Sequence, residues 1–404
     1  MAGKKTIAVF FGGRSPEHDV SVVTAQQVMA ALDPDVYDVL PVYLATNGSW
    51  WCGDGLRDRE TYLPGPDQFA QLTQVTLDMT ASGRAALIGR HASLLRRPAE
   101  FEFDIALPAF HGLIGEDGQI QGTFEAAGIP YTGMRTMASA VLMDKVATKR
   151  ILGSTDIPVL PYREIRRPLE GLLLTEAELA ECIGDFSGPW CVKPSHLGSS
   201  IGVARAESLQ EISDVLPEIF KYDTAAILEP FVDNMVEYNI AVAKAFGGVR
   251  TSAIERPKRS SELLDFKQKY LSGGVKKNGG SKAPGQSASQ GMLSLTRELN
   301  PQLPDGREDQ IRTWAEIAFE TVGGSGAPRI DFIGNEATGE VWLNEVNPCP
   351  GSFGYFLWEA FGEQPLLFAD LLDALIAEAI DEAERAKLPA DPTPQDARLF
   401  PRRS

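Results

Sequence analysis

The chain has 404 residues, 43% of them hydrophobic and 23% charged, with a formal net charge of −17. That length suits two or three globular domains, while the acidic balance argues against a nucleic-acid partner, whose backbone demands clustered lysine and arginine. No run approaches the roughly 18 apolar residues of a membrane span, and "MAGKKTIAVFFGG" meets a Gly-Gly turn too early for a signal peptide. The expected address is the cytoplasm. There Cys52, Cys182, Cys191 and Cys349, which form no C-x-x-C pair, read as free thiols.

In chain order, residues 6–10 read as a buried strand, Gly12-Gly13 as a turn and residues 20–32 as a helix. "YDVLPVYLA" and "FDIALPAFHG" follow as strands and "GIPYTG" ends another, so the first third is an α/β layer with a parallel sheet. Residues 53–100 read as an insertion of weak helix and loop. "MASAVLMDKVATKRIL" (137–152) predicts one amphipathic helix opening a second domain. "WCVKP" and "IGVARA" flank the loop "KPSHLGSSIGV" (193–203) like a hairpin, and a helix is expected near 207–219. The β-rich runs "AAILEPFV", "VEYNIAVAKAF" and "VRTSAIERP" predict a mostly antiparallel sheet. Residues 271–291 are Gly, Ser and Lys with little to bury, the composition of a mobile lid. A helix near 307–322, the strands "APRIDFIG" and "GEVWLNEVN", a helix over 364–386 and a Pro-rich tail close the chain. The expected organisation is 1–136, 137–231, 232–387 with the lid, and the tail 388–404.

"KPSHLGSSIGV" also satisfies G-x-S-x-G, the nucleophile elbow of serine hydrolases. That reading needs an Asp or Glu and then a His after the serine, and His18, His91, His111 and His196 all precede Ser200. Neither G-x-x-x-x-G-K-[ST] nor a strand-linked G-x-G-x-x-G is present, so a nucleotide would need another cradle. "PRIDF" and "LNEVNP" offer one. Arg329 and Asp331 share a strand face, as do Glu345 and Asn347. Paired through the turn "GNEATG", they bring two carboxylates and an amide oxygen together, hard ligands suited to Mg²⁺ with phosphate oxygens completing its shell. Lys145 and Lys193 are natural phosphate partners. Gly198 admits backbone to a ligand, while Ser199 and Ser200 supply hydroxyls and N–H donors. "LEPFV", with Glu229, Phe231 and Val232, and then Glu237 could hold a base and a ribose.

Together these stretches resemble the D-alanine–D-alanine ligase family of the ATP-grasp superfamily. "FFGGRSPEHDVS" (10–21), "HGLIGEDGQIQGTFEAAGIPYTG" (111–133), "MDKVATK" (143–149), "KPSHLGSSIGV", "DFKQKY" (265–270) and "RIDF…LNEVNPCPG" resemble the family's blocks in order, from about residue 6 to 351. The resemblance implies an α/β, three-domain ATP-grasp architecture: an N-terminal parallel α/β domain, a central α+β nucleotide-binding subdomain and a C-terminal mixed-sheet domain. It implies ATP and two Mg²⁺ ions, with Mn²⁺ as a substitute, held by Asp331, Glu345 and Asn347. Lys145, Lys193 and the lid's Lys269 would hold phosphates, Glu229 and Glu237 the adenine and ribose. Glu17 would bind the first substrate's amino group and join Ser199 and Tyr270 in a hydrogen-bonded set. Arg329 and the Gly351 N–H would face the oxyanion, with His111 near the first substrate. The implied reaction joins two D-Ala molecules through an acyl phosphate for cell-wall synthesis, in a cytoplasmic homodimer.

One position departs. Where the family carries a serine five residues past Gly351, this chain has Phe356 in "GSFGYFLWEAFG". Either Ser352 or a backbone N–H takes over, or the acceptor is a larger apolar amino acid facing Phe353, Tyr355, Phe356 and Trp358. Tyr270, where relatives accepting D-lactate have phenylalanine, favours an amine acceptor. A ligase joining another amino-acid pair, a nucleotide-binding protein without turnover and a serine hydrolase are the alternatives.

Overall fold

The computed structural model describes residues 3–62, 68–79, 84–90, 97–171, 173–198, 202–244, 246–258, 297–362, 365–389, 393–394 and 397–399. Ser199, Ser200, Lys269, Tyr270 and the lid expected over 271–291 lie outside the described residues.

The first sheet has seven strands: β1 Lys5–Gly12, β2 Tyr37–Leu44, β3 Trp50–Cys52, β4 Thr73–Leu77, β5 Ala85–Gly89, β6 Glu100–Phe103 and β7 Ile105–Pro108, in the order β6-β5-β4-β3-β2-β1-β7. β1 is parallel to β2 and β7, with helix His18–Ala31 as the crossover between β1 and β2. It is buried on both faces, which is why "TIAVFF" is apolar without alternation. Residues 53–100 differ from expectation. Besides two short 3-10 turns they form β4, β5 and β6, paired antiparallel and continuing the sheet beyond β3. Strands of four or five residues carry too little alternation to stand out in sequence, and the short connections between β4, β5 and β6 favour antiparallel pairing. "GIPYTG" contributes an isolated parallel bridge, Tyr131 to Ala106, instead of a strand.

The expected helix over 137–152 is two helices, Thr136–Met143 and Lys145–Leu152. Asp144 breaks it: its backbone is extended, and its carboxylate accepts the Val146 and Ala147 N–H groups at 2.8 and 3.2 Å. An N-cap satisfies donors that the start of any helix leaves open. The apolar periodicity runs through both helices, so the pattern alone hides the break.

The second sheet holds β8 Arg163–Arg166, β9 Trp190–Pro194, β10 Ala204–Ala206 and β11 Ala225–Pro230, all antiparallel in the order β10-β9-β11-β8. Helices Glu176–Ile183 and Leu209–Phe220 pack against it through Leu179, Ile183, Leu216 and Phe220. β9 and β10 form the hairpin around the glycine–serine loop. The third sheet holds β12 Met235–Ala243, β13 Arg250–Pro257, β14 Arg297–Leu299, β15 Arg329–Asn335 and β16 Val341–Asn347, antiparallel in the order β14-β13-β12-β15-β16. Ile240, Ile330, Phe332 and Val346 on one face pack with helix Arg307–Thr321 and with Leu142 and Leu152, while the opposite face carries Glu237, Asn239, Arg329 and Asp331 beside Ala241 and Ile333. Helix Phe368–Ala386, with Phe353, Leu357 and Trp358, buries its apolar side in one cluster with Ile7, Val9 and Phe11 of β1. Among the described residues no helix is long and apolar enough to cross a membrane.

Candidate functional site

Strands β15 and β16 pair as the turn between them predicted. Asp331 stands opposite Glu345 and Arg329 opposite Asn347, so all four share the polar face of the third sheet. A bulge on β16 follows, and its extra residue, Asn344, accepts a bond from Lys193 Nζ at 2.8 Å. Opposed carboxylates repel unless cations offset them. Here Arg329 grips Asp331 with two bonds of 2.6 Å, Asn347 donates to Asp331 at 2.9 Å, and Lys145 Nζ lies 3.1 Å from Glu345. The row continues sideways through Asn239, opposite Asp331, to Glu255, which accepts from Asn239 at 3.1 Å. Glu237 lies on this face too, two residues from Asn239.

Lys145 opens its helix directly after the Asp144 break. It donates through Nζ to Leu197 O at 2.7 Å and through its backbone to Ser195 O at 3.0 Å, fixing the start of the glycine–serine loop. Glu17 reaches the same loop from the first sheet's side. A Cβ on Gly198 would come within 3.1 Å of the Glu17 carboxylate, and one on Gly112 within 2.6 Å. Glycine is needed at Gly112, which also has φ +73°, while at Gly198 the Glu17 carboxylate would have to give way by a few tenths of an ångström. Glu17, Glu116, Lys145, Leu197, Glu345 and Asn347 line one cleft of about 330 Å³, open to solvent. Gly351 begins a tight turn, Gly351–Gly354, beyond β16.

Two profiles match this chain: "D-ala D-ala ligase N-terminus" over residues 6–134 and "D-ala D-ala ligase C-terminus" over residues 151–377. The chain belongs to the D-alanine–D-alanine ligase family. A D-alanine--D-alanine ligase of Methylobacterium sp. (strain 4-46) is 32% identical over 404 residues, 98% of this chain and 96% of that one. The D-alanine-D-alanine ligase of Coxiella burnetii superposes with a TM-score of 0.70 at 26% identity, covering 95% of this chain and 96% of that one. VanG D-Ala:D-Ser ligase of Enterococcus faecalis gives 0.71 at 26%, covering 93% and 100%. The protein is thus a ligase of ATP-grasp fold.

In this ligase Glu229 is almost wholly enclosed, 2.6 Å from Lys149 Nζ and in contact with Lys193 Nζ. Burial alone would raise its carboxyl; Lys193 and then Lys149 outweigh that and bring it to about 2. Phe231 lies beneath the Arg205 guanidinium at 4.5 Å, and Val232 packs with Leu160 and Ile333. His111 is lowered to about 4, chiefly by burial, and shares a 2.8 Å bond with Thr24. Three groups escaped sequence reasoning. Lys149 falls one turn after Lys145, a helical spacing that could have found it. Glu116 sits inside the quoted "HGLIGEDG", where nothing local separates it from a solvated turn residue; burial and then the nearby Glu17 push it up to about 8. His196 bonds Asp223 at 2.7 Å and lies 3.6 Å from Asp144, contacts that only the fold creates.

The aromatic wall expected around the acceptor is corrected in part. Phe353 and Trp358 are core residues of the cluster with β1, 3% and 0% exposed, and so unavailable to a substrate. Tyr355 stacks on Phe368 with centroids 4.9 Å apart, and Phe356 lies beneath the Arg297 guanidinium at 4.2 Å. Ser352 Oγ bonds Gln27, and its N–H donates to Thr24 Oγ1 at 3.2 Å.

Proposed function

We propose that this ligase joins two D-Ala molecules into the D-Ala–D-Ala dipeptide of cell-wall synthesis at the expense of ATP. The observation that carries the reading is the convergence of Glu345, Asn347, Lys145 and Glu17 on one cleft, with Asp331 opposite Glu345 on the same sheet face. Among the described residues no three His, Cys, Asp or Glu side chains gather into a ready-made metal cage. Two carboxylates and one amide oxygen are nonetheless a fitting partial set for hard cations that also take phosphate oxygens and water. Asp331, Glu345 and Asn347 would hold two Mg²⁺ ions, or Mn²⁺, which supply charge neutralisation at the ATP phosphates.

The chain's own groups do the positioning. Lys145 and Lys193, joined by Ser200 and Lys269, hold phosphates. Glu229, Phe231 and Val232 border the adenine, and Glu237 takes the ribose hydroxyls. Glu17 receives the donor's ammonium, with Ser199 and Tyr270 completing its hydrogen-bonded set and His111 packed close by as a neutral imidazole. The donor carboxylate attacks the γ-phosphorus of ATP, breaking the bond to ADP and leaving an acyl phosphate. The acceptor's amine then attacks the carbonyl carbon, loses a proton, and the tetrahedral centre expels phosphate. Arg329 and the Gly351 N–H meet the oxygen on which charge develops, where preorganised donors contribute most. The reading includes a homodimer in the cytoplasm.

The test is ATP- and Mg²⁺-dependent phosphate release with D-Ala alone, the product identified by mass spectrometry. The dipeptide is expected; phosphate release only with a different amine, or none at all, would overturn the reading.

A further inference from the structure

We propose that Glu116 is a positioning residue for the ligation step: it holds the 349–352 turn, and with it the Gly351 N–H, against the donor half of the site. The inference rests on the function proposed above. Glu116 is buried in the wall of the cleft that Glu17 and Asn347 also line. Its Oε2 accepts the Gly112 N–H at 2.6 Å and its Oε1 the N–H of Cys349, 233 positions further along the chain, at 2.8 Å, so one carboxyl group ties the Gly112 segment to the Cys349 segment. Both donors are backbone N–H groups, which are costly to leave unpaired away from water.

The two ends of that span matter to the chemistry. Gly112 is the residue whose missing side chain admits Glu17, the group assigned to the donor's ammonium. Cys349 stands two residues before Gly351, and Ser352, one residue after it, is tied by its N–H to Thr24, which in turn bonds His111. Gly351 therefore lies between two anchors, both set by side chains from the first 120 residues. The turn needs such ties. Ser352 and Phe353 adopt φ +50° and +55°, a left-handed conformation that non-glycine residues keep only when their surroundings impose it. The Glu116 loop can impose it because it is itself braced: Glu116 N–H donates to Gly112 O at 3.0 Å, and Gln121 Nε2 donates to Gly115 O at 2.7 Å.

The Glu116 carboxyl group accepts one N–H on each oxygen; an amide accepts on one end and presents hydrogens on the other. Glu116→Gln thus keeps the size and loses one of the two ties. Wild type, E116Q and Gln121→Ala, which loosens the same loop without touching Cys349, are compared for kcat, KM of ATP, melting temperature and inhibition by a dipeptide phosphinate that mimics the tetrahedral centre. E116Q is expected to lose roughly tenfold to a hundredfold in kcat. Its affinity for the phosphinate should fall by a matching factor while KM of ATP stays within about twofold, and Q121A should keep its phosphinate affinity. Unchanged phosphinate affinity in E116Q overturns the proposal, and so does an equal loss in Q121A, which would mean loop stiffness alone. A wild type that makes no dipeptide overturns the reading of function and this inference with it. An active wild type matched by E116Q overturns only the role of Glu116.

Discussion

Glu229 shows how little of a side chain's surroundings a local reading contains. The sequence marks it as an acidic residue at a strand end; the structure surrounds it with Lys149 and Lys193 in a nearly solvent-free pocket. Removing one partner of a buried charge cluster leaves the others uncompensated. Glu229→Gln is therefore expected to destabilise the protein by about 3–5 kcal/mol, read from denaturant unfolding without nucleotide. A change below about 1 kcal/mol would mean that water reaches the lysines. The sign with pH follows from the depressed carboxyl. Its contribution is present at neutral pH and is lost as pH falls from the ordinary carboxylate range through about 2.

At the level of elements, the break at Asp144 turns one expected helix into two and sets Lys145 at a helix start facing the cleft. The same Asp144, with Asp223, holds His196, whose imidazole is raised to about 9 by the Asp144 carboxylate beside it and by its bond to Asp223 against the opposing effect of burial. A folded value above the ordinary 6.5 means stability complete below pH 6.5 and lost as pH rises through about 9. Discounted for partial exposure, the loss is on the order of 1–2 kcal/mol. His196→Ala should flatten the stability profile between these pH values. An unchanged slope in the variant would place the pH dependence elsewhere. The pairing of β15 with β16 was readable because period-two alternation and a short turn are local facts. The antiparallel β4–β6 were not, since strands that short owe their existence to the strands they pair with.

At the scale of the molecule, the site draws Glu17 from the first sheet's connection, Lys193 from the second sheet and Asp331 from the third. Its rigidity depends on contacts between segments far apart in sequence. The helix Phe368–Ala386 is the clearest case, because Leu371, Leu372, Leu375 and Ile376 complete the core over β1. Leu375→Ala should cost about 2–5 kcal/mol. The loss should appear in the unfolding of the whole chain and in weaker binding of D-Ala, the substrate assigned to Glu17. A stability loss under about 1 kcal/mol would show that the helix is peripheral.

The sequence by itself determined which strand faces carry Asp331, Glu345 and Asn347, which loop follows Lys193, and that the blocks follow one family's order. The first two are written within one element or one turn, where periodicity and spacing suffice, and the third is a resemblance read along the whole chain. Only the tertiary structure decided that Glu116 spans Gly112 and Cys349, that Lys149 and Lys193 share Glu229, and that Phe353 and Trp358 belong to the core instead of the acceptor site. The physical reason is common to all three. A buried polar group or ring is defined by the partners that close around it, and those partners come from segments whose meeting no local pattern records.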